Sequence, residues 1–384
     1  MKKNIFYWSP CLNPVGTVIS TINSSVSLIK YDNNIEVCVI NTCGEWDNYK
    51  DFFKKNNIKV IDFSFKFFNF LPKTGFVQSR LSYIFIFFFF FIPLILLLKK
   101  KKPDFLISHL ITSLPIFIFK ILDFKTKLIL RISGMPKLNY VRKYFWKICS
   151  SNIEIITCPS MELKEKIKIS NIFDKKKIFY LPDAVINISN LRKQIKTQNN
   201  FKNIFNKNRK VLLAAGRLTK QKNFSYLIEE FAKFYCENKD YNLVIFGDGE
   251  EYNNLNTLIK KKKLMHAIFL LGRVENIFKY MKEADAFILS SKWEEMGFVI
   301  IEAAFANLYI ISSNCPNGPS EFLNYGENGL LFENDKNNAL YEKFKMFETL
   351  SKKKKKIDQI EIKKNSMKFS IYRHYKLLNK ILNN

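Results

Sequence analysis

Residues 210–223 read KVLLAAGRLTKQKN, and residues 241–249 read YNLVIFGDG. Each stretch opens with an apolar run of the length of a buried strand, and the two runs end at Gly216 and Gly247. The residues between them, 224–238, are predicted to form a helix. Short apolar strands that alternate with helices and end in glycine are typical of an open, doubly wound parallel sheet.

The same alternation extends in both directions along the chain. Further strands are predicted at 267–271, 286–290, 309–312, 4–7, 36–41, 104–108, 127–131 and 153–158. A chain of 384 residues is too long for one compact core and suits two domains. We therefore predict an α/β protein with domains at 1–186 and 209–364, joined by a polar, Lys/Asn-rich linker at 187–208.

Ligands of doubly wound sheets bind at the carboxyl ends of the strands, and four sequence features fall there. The first is residues 216–223, which combine the planar guanidinium of Arg217 with the compact charge of Lys222. Two fixed cations at a strand-to-helix turn suit a diphosphate. Taken alone, this stretch is equally compatible with a basic surface loop.

The second feature is residues 294–302, EEMGFVIIE. Glu294 precedes a predicted helix, and Glu302 lies about one turn inside it. Gly297 allows backbone N–H groups at the helix start to approach an anion. Because Glu302 has apolar neighbours, its carboxylate needs partners, and ribose hydroxyls would supply them.

The third feature is Arg273 and Val274, which follow Gly272 after a predicted strand and could hold a nucleobase through backbone groups. The fourth is residues 315–321, CPNGPSE, a turn that could close one side of a pocket. An ordinary strand-to-helix turn and a plain loop are the alternative readings of these two stretches.

These pieces occur in a fixed order between about residues 211 and 332: G-R-L-x-x-Q-K-N, F-G-D-G, G-R-V, S-x-x-E-E-M-G-F-x-x-x-E-A and N-G-P-S-E. The set resembles the large retaining glycosyltransferase family called group 1, and Glu294 and Glu302 match its E-x7-E signature. The resemblance implies the GT-B fold, with two Rossmann-like doubly wound domains facing a central cleft. It also implies a helix within 365–384 that crosses back onto the N-terminal, acceptor-binding domain.

The resemblance further implies which residues do the chemistry. Arg217 and Lys222 would bind the donor diphosphate and stabilise the departing nucleotide, Glu294 would lie beside the transferred sugar, and Glu302 would contact the ribose. The other donor-binding positions implied in this half are Gly297, Phe298, Val299, Arg273 and Val274.

The N-terminal half matches the family less closely. Residues 13–17, NPVGT, contain one glycine, Gly16, where family members commonly have two adjacent ones, and Gly16 is the candidate for a contact with donor or acceptor. Residues 131–139, RISGMPKLN, resemble a segment of members that build cell-surface polysaccharides. Arg131 and His109 are therefore candidates on the acceptor side, although a single histidine after a strand can equally be structural.

One segment bears on membrane attachment. Residues 81–98, LSYIFIFFFFFIPLILLL, are at the lower limit of length for a membrane span and are followed by four lysines. A true span would separate the chain before it from the chain after it, which is impossible if both belong to one domain. We therefore expect a buried or membrane-dipping helix, suited to a lipid-linked acceptor and an anionic bilayer.

Composition narrows the function class. The net charge of +28 is compatible with polyanion binding, but the chain contains no recognisable nucleic-acid module, so no nucleic-acid partner is expected. Seven cysteines without a C-x-x-C pair and only three histidines argue against a zinc site or a disulfide framework, and indicate a reducing cytosol. No D-x-D triplet occurs, so the sequence requires no metal cofactor.

The sequence thus predicts transfer of a hexose or N-acetylhexosamine from a UDP or GDP sugar to a lipid-linked saccharide. Surface polysaccharide (O-antigen or capsule) biosynthesis, on the cytoplasmic face of the cell membrane, is the expected setting. A nucleotide-sugar epimerase of the same fold is the first alternative, because it would use the same nucleotide site without an acceptor. A polyanion-binding protein and a non-catalytic scaffold are the others.

Overall fold

The computed structural model describes residues 2–10, 16–63, 76–109, 112–136, 139–195, 197–198, 200–201, 203–205, 208–315 and 318–383. The chain forms two compact domains. The first comprises Met1–Val185 and Ile371–Asn384, and the second comprises Ile186–Ser370.

The first domain is a parallel sheet covered by helices. Its elements are β1 (Lys3–Trp8), α1 (Gly16–Tyr31), β2 (Ile35–Asn41), α2 (Lys50–Lys55), β3 (Lys59–Asp62), α3 (Phe76–Lys101), β4 (Phe105–Ser108), α4 (Ser113–Ile121), β5 (Lys127–Arg131), α5 (Tyr140–Cys149), β6 (Ile153–Cys158), α6 (Met161–Ile169) and β7 (Ile178–Tyr180). The strands lie in the order β3-β2-β1-β4-β5-β6-β7.

The central strands of this sheet are largely apolar because both of its faces are buried. Along β1, Ile5 and Tyr7 belong to one core cluster, while Phe6 and Trp8 belong to another. Successive side chains of a strand point to opposite faces, so a strand covered on both sides reads as a continuous apolar run. The two doubly wound sheets predicted from the sequence are both present.

The second domain repeats this plan with six strands. Its elements are α7 (Ile188–Ile195), β8 (Lys210–Ala215), α8 (Phe224–Glu237), β9 (Tyr241–Phe246), α9 (Tyr252–Lys261), β10 (Ile268–Leu270), α10 (Phe278–Met281), β11 (Ala286–Leu289), α11 (Phe298–Phe305), β12 (Tyr309–Ser313), α12 (Pro319–Phe322), β13 (Leu330–Phe332), α13 (Ala339–Thr349) and α14 (Lys352–Ser366). The strand order is β10-β9-β8-β11-β12-β13, and all pairs are parallel.

The chain returns to the first domain through α15 (Ile371–Leu382), which packs against α1. The stretch 187–208, predicted as a linker, contains α7 and lies within the second domain. Its Leu191 is buried, and the backbone oxygen of Gln194 accepts a hydrogen bond of 2.8 Å from Asn276. The polar composition of this stretch hid one short helix, whose Leu191 side chain is buried.

Helix α3 lies on the sheet of the first domain. Within the described residues, Tyr83–Lys101 is the one segment long and apolar enough to cross a membrane, and 28% of it is buried. Strands β1 and β2 precede α3, and β4, which follows it, pairs directly with β1. Because one sheet contains strands from before and after α3, the helix runs along the domain as a covering element.

The described cysteines form no disulfide. Cys38, Cys43, Cys149, Cys158 and Cys315 are buried free thiols, and Cys236 is an exposed one. Cys11 lies outside the described residues. Burial raises the pKa of Cys38, Cys158 and Cys315 to about 11, so these thiols remain protonated at neutral pH.

Candidate functional site

Three strand-end loops of the second domain are hydrogen-bonded to one another. The backbone N–H of Gly216 donates to the oxygen of Phe246 at 3.0 Å, and that of Gly247 donates to Gly272 at 2.8 Å. A Cβ at Gly247 would lie 1.8 Å from the oxygen of Gly216. Only glycine therefore permits the close approach, which places the carboxyl ends of β8, β9 and β10 side by side.

Lys222 connects the first of these loops to the next strand end. A Cβ at Gly216 would lie 2.9 Å from Cε of Lys222, so the glycine leaves room for the lysine side chain to fold back over the loop. Its Nζ then reaches Oε1 of Glu294 at 2.5 Å. Both side chains are mostly buried, which strengthens the charge pair relative to a surface one.

Glu294 is held in place by residues that the sequence analysis did not identify. The buried hydroxyl of Ser291 donates to the same Oε1 at 2.6 Å. The backbone oxygen of Ser291 in turn accepts from Ser313 Oγ at 2.7 Å and from Asn334 Nδ2 at 2.9 Å. The serine three residues before Glu294 in the S-x-x-E-E motif was the available sequence signal, whereas nothing local marks Asn334.

Two further hydrogen bonds join the loop of Lys222 to the loop of Glu294. Gln221 Nε2 donates to the oxygen of Trp293 at 2.8 Å, and the N–H of Lys292 donates to the oxygen of Gln221 at 2.8 Å. The motif around Lys222 and the motif around Glu294, predicted separately to bind one ligand, therefore form one structural unit.

Helix α11 begins beside this unit. Gly297 precedes it with a left-handed backbone (φ 67°), and a Cβ there would lie 3.7 Å from Cγ of Glu294. The first amides of the helix, those of Phe298 and Val299, have no partner within the helix. They are thus available to an anion, which the helix dipole also favours at this end.

Glu302 is the fifth residue of α11 and is half-buried. No hydrogen bond joins its carboxylate to any residue of the described part of the chain. Burial raises its pKa to about 7. A carboxylate without a partner and with a raised pKa is a candidate functional group, and hydroxyl donors would satisfy it.

The remaining residues that the sequence predicts to bind the donor lie on the adjoining loops. Arg217 and Arg273 are exposed and Val274 is half-buried. Asn276, next to the third motif, is engaged elsewhere, because its Nδ2 donates to Gln194 and Thr197. No side-chain hydrogen bond or ion pair joins Arg217 or Arg273 to another residue that the structure describes, so both guanidinium groups can meet an anionic ligand.

The fourth motif also reaches this edge of the sheet. A Cβ at Gly318 (φ 127°) would lie 2.3 Å from the oxygen of Glu295, so the turn after β12 packs closely on the loop before α11. Pro316 and Asn317 of that turn lie outside the described residues.

Residues 195–364 match the family described as glycosyl transferases group 1. These residues belong to the group 1 glycosyl transferases. The match covers all four motifs and every element from β8 to α13. The group 1 segment therefore contains the complete cluster built around Lys222, Glu294 and Glu302.

Individual relatives match shorter parts of the chain. An uncharacterized glycosyltransferase of Methanocaldococcus jannaschii is 34% identical over 249 residues, 58% of each protein. A Campylobacter jejuni relative, N-acetylgalactosamine-N,N'-diacetylbacillosaminyl-diphospho-undecaprenol 4-alpha-N-acetylgalactosaminyltransferase, is 33% identical over 136 residues, 35% of this chain and 36% of that one. The chain thus spans less than two thirds of the length of these relatives.

Solved structures match the whole chain in fold. A glycosyltransferase from Rickettsia africae has a TM-score of 0.78 at 18% identity and covers 100% of this chain and 98% of its own. Anabaena HepE in complex with UDP has a TM-score of 0.72 at 14% identity and covers 99% of both chains. The two doubly wound domains, one of which contains the group 1 segment, therefore have the GT-B fold.

The candidates outside the group 1 segment lie in the first domain. Gly16 begins α1, and residues 13–15 before it lie outside the described residues. His109 follows β4, is buried, and has its Nδ1 3.4 Å from Thr21 Oγ1. Burial and nearby Arg131 lower the pKa of His109 to about 3, so its imidazole is neutral at physiological pH.

Arg131 is committed to the interior of the first domain. Its Nη1 donates to the oxygen of Leu181 at 2.6 Å and its Nη2 to Asp183 Oδ1 at 2.6 Å. Ser20 Oγ donates to the same carboxylate at 2.5 Å. The side chain is buried, so the acceptor contact predicted for Arg131 would have to compete with this ion pair.

Within the described residues, no group of three or more His, Cys, Asp or Glu side chains is arranged to hold a metal ion. Independence from metal remains a prediction. Arg217, Lys222 and Arg273 are among the cations on the loops at this edge of the sheet.

Proposed function

We propose that the protein is a retaining glycosyltransferase that moves a hexose or N-acetylhexosamine from a UDP or GDP sugar to a lipid-linked saccharide. One observation carries the proposal. The carboxylate of Glu302, which has no hydrogen-bond partner in the described part of the chain, lies about one turn inside α11, the helix that begins after the Lys222–Glu294 pair at the carboxyl edge of a doubly wound sheet. A nucleoside diphosphate supplies what this arrangement lacks, namely hydroxyl donors for Glu302 and an anion for the cations.

The proposed roles follow from charge and position. As the bond between sugar and diphosphate breaks, negative charge grows on the leaving nucleotide. Arg217, Lys222 and the free amides of Phe298 and Val299 would stabilise that charge. Glu302 would accept hydrogen bonds from the ribose, and Glu294 would lie beside the transferred sugar.

Arg273 and Val274 would hold the base through their loop, since their backbone follows the β10 strand end that is joined to Gly247. The UDP complex of the structurally similar Anabaena protein supports a nucleoside diphosphate as the bound group. A contact by Gly16 and one by His109 are further proposals for the first domain.

Two observations support a lipid-linked saccharide as the acceptor. The Campylobacter relative bears the name of an enzyme acting on a diphospho-undecaprenol-linked saccharide. In the present chain, α3 exposes an apolar face ahead of four lysines. We therefore place the protein in surface polysaccharide biosynthesis, at the cytoplasmic face of the cell membrane, without a nucleic-acid partner.

Thermal-shift binding of UDP, GDP, ADP and CMP to the wild type, Lys222→Ala and Glu302→Ala tests the donor site. A rise in melting temperature with one nucleoside diphosphate, lost in both variants, is the expected result. Salt-sensitive binding to DNA without any nucleotide shift would instead favour the polyanion-binding alternative.

Incubation with the selected nucleotide sugar then separates transfer from epimerisation. A transferase leaves the donor sugar unchanged until a lipid-linked saccharide is added, and it works in EDTA if the cationic side chains replace a metal. Conversion of one nucleotide sugar into its epimer without acceptor would contradict the proposal and favour the epimerase.

A further inference from the structure

The outward face of α3 is apolar and uncovered. Phe90 and Leu94 are fully buried against the sheet, whereas Phe88 is 71% exposed and Ile92 and Leu96 are comparably exposed. Residues 88, 92 and 96 follow one another at a spacing of four, so they form one stripe along the helix. Such a continuous apolar stripe on a folded domain marks an interaction site.

A second helix has the same character. On α5, Trp146 and Cys149 are buried, while Tyr140 is 95% exposed and Val141 and Tyr144 are also exposed. Tyrosine is amphipathic and is enriched where apolar and aqueous phases meet.

Both exposed faces are on the same side of the first sheet. Phe117 of α4 contacts Phe87 of α3 at 5.9 Å between ring centroids and Phe145 of α5 at 6.2 Å. The buried residues of all three helices belong to one core cluster. Exposed Phe88 and Tyr144 are each two residues, about 200° around the helix, from buried Phe90 and Trp146, so both faces point away from the sheet.

The charges around these faces are positive. The exposed lysines are Lys99, Lys100, Lys101 and Lys102 at the end of α3, and Lys143 and Lys147 on α5. Neither helix contains an aspartate or glutamate. The nearest acid in sequence, Asp104, accepts a hydrogen bond from the backbone N–H of Asn4.

We propose that the outward faces of α3 and α5, here called the α3–α5 face, form a docking surface for an anionic lipid bilayer. Because α3 runs along its own domain, its apolar stripe is covered by lying against the bilayer rather than by crossing it. Phe88, Ile92 and the tyrosines enter the headgroup region, and the lysines meet lipid phosphates. This surface would face the membrane that contains the proposed acceptor. The inference rests on the proposed function only for the location of that acceptor.

Co-sedimentation of the full-length chain with vesicles tests this surface. We expect binding to vesicles of phosphatidylglycerol and phosphatidylcholine, weaker binding to phosphatidylcholine alone, and weakening by salt. The double variant Phe88→Asp/Ile92→Asp on α3 and the double variant Tyr140→Ser/Tyr144→Ser on α5 should each reduce the bound fraction at least tenfold.

Matched controls keep the test specific. Ile357 and Ile360 on α14 of the second domain are also exposed, at 47% and 44%, and α14 begins with a lysine run, so Ile357→Asp/Ile360→Asp should bind vesicles as the wild type does. Lys222→Ala should also bind vesicles normally. The docking variants should keep the nucleotide-induced thermal shift, which shows that they are folded.

Wild-type binding by either docking variant, or equal binding to neutral and anionic vesicles, would overturn the proposal. So would concentration-dependent dimerisation that the same substitutions abolish without vesicle binding, because the face would then join two copies of the chain. Vesicle binding without any sugar transfer would leave the docking surface intact and refute the proposed function alone.

Discussion

Nζ of Lys222 lies 2.5 Å from Oε1 of Glu294, across 72 residues of sequence. The same carboxylate oxygen accepts a second hydrogen bond, from Ser291. An ammonium group has three donors, so Lys222 can keep Glu294 and still donate to an incoming phosphate. The carboxylate therefore acts as an anchor that holds the lysine over the end of β8 before any ligand is present.

Loss of the lysine side chain should weaken nucleotide binding. Lys222→Ala removes a charge-assisted hydrogen bond worth about 1.5–3 kcal/mol, so the dissociation constant for the preferred nucleoside diphosphate should rise roughly 10- to 150-fold by calorimetry. The control is Lys220→Ala, which removes an exposed lysine from the same loop. Equal losses in both variants would mean that general basicity, rather than the anchored lysine, binds the nucleotide.

Ser291 should affect turnover through Glu294. Ser291→Ala leaves Oε1 with Lys222 as its one remaining donor among the described residues, so the carboxylate gains freedom beside the transferred sugar. We expect kcat to fall about tenfold with little change in KM for the donor, as measured in the transfer assay. Ser312→Ala, which removes an equally buried hydroxyl bonded only to a neighbouring backbone oxygen, should retain the wild-type kcat.

The first strands of the second domain could be predicted because each ends directly before a glycine. The bounds of β8 and β9 agree with the sequence prediction, and each is followed by the glycine that turns the chain. The edge strands β3, β7 and β13 were not predicted, because a stretch of three or four residues has no periodicity of its own and becomes a strand only by pairing with a neighbour distant in sequence. The helix α7 was missed within a polar stretch for a related reason.

The site was predictable where charge and spacing carry information. Lys222, Glu294 and Glu302 were recognised as members of one site, and the structure joins the first two directly. Ser291 and Asn334 were not, because a serine or asparagine acquires its role only from the path of the backbone it binds. Arginine commonly binds anions, but the guanidinium of Arg131 is already paired with the buried carboxylate of Asp183, which lies on a distant loop.

Two glycines at neighbouring strand ends should respond differently to substitution. Gly247→Ala places a Cβ 1.8 Å from the oxygen of Gly216, whereas Gly272→Ala meets no atom within 4 Å and suffers only its left-handed backbone (φ 68°). We expect a cost of about 1–2 kcal/mol for Gly272→Ala and a larger one for Gly247→Ala, together with loss of nucleotide binding. Thermal unfolding with and without UDP measures both. Equal destabilisation would contradict the proposed close approach.

The first domain should be acid-sensitive through His374. Its Nδ1 lies 2.7 Å from the oxygen of Pro182 and its Nε2 2.8 Å from Ser24 Oγ, and burial lowers its pKa to about 4. The unfolded chain takes up this proton near pH 6.5 and the folded chain does not, so stability is full above pH 6.5 and falls between pH 6.5 and 4, by about 3 kcal/mol at most.

Thermal unfolding of His374→Gln between pH 7 and 4.5 checks this dependence. The variant should be less stable at pH 7, because two buried hydrogen bonds are altered, and should lose less stability on acidification. His266→Gln, which changes an exposed histidine of the second domain, should keep the wild-type pH dependence. An unchanged slope in His374→Gln would assign the acid sensitivity to other groups.

Glu302 should produce the opposite pH dependence. Burial raises its pKa to about 7, so between pH 4.5 and 7 the folded chain holds a proton that the unfolded chain has released. The free energy of unfolding contributed by this group therefore falls as pH rises through that window. Glu302→Gln should be more stable than the wild type above pH 7, by roughly 1–2 kcal/mol after allowance for its partial exposure. Glu229→Gln, an exposed glutamate on α8, is the matched control.

Nucleotide binding should offset the destabilisation that the ionised Glu302 carboxylate causes. Ribose hydroxyls donate to the ionised carboxylate, so nucleotide affinity should rise with pH through about 7 more steeply in the wild type than in Glu302→Gln, where the terminal phosphate of UDP, with a pKa of about 6, still titrates. Calorimetry across pH 6 to 8, with UDP and with its 2′,3′-dideoxy analogue, measures the effect. The analogue lacks the hydroxyl donors, so it should bind more weakly and with the same shallow pH dependence in the wild type and in Glu302→Gln. Equal binding of UDP and the analogue would remove Glu302 from the ribose and leave its buried charge without a function.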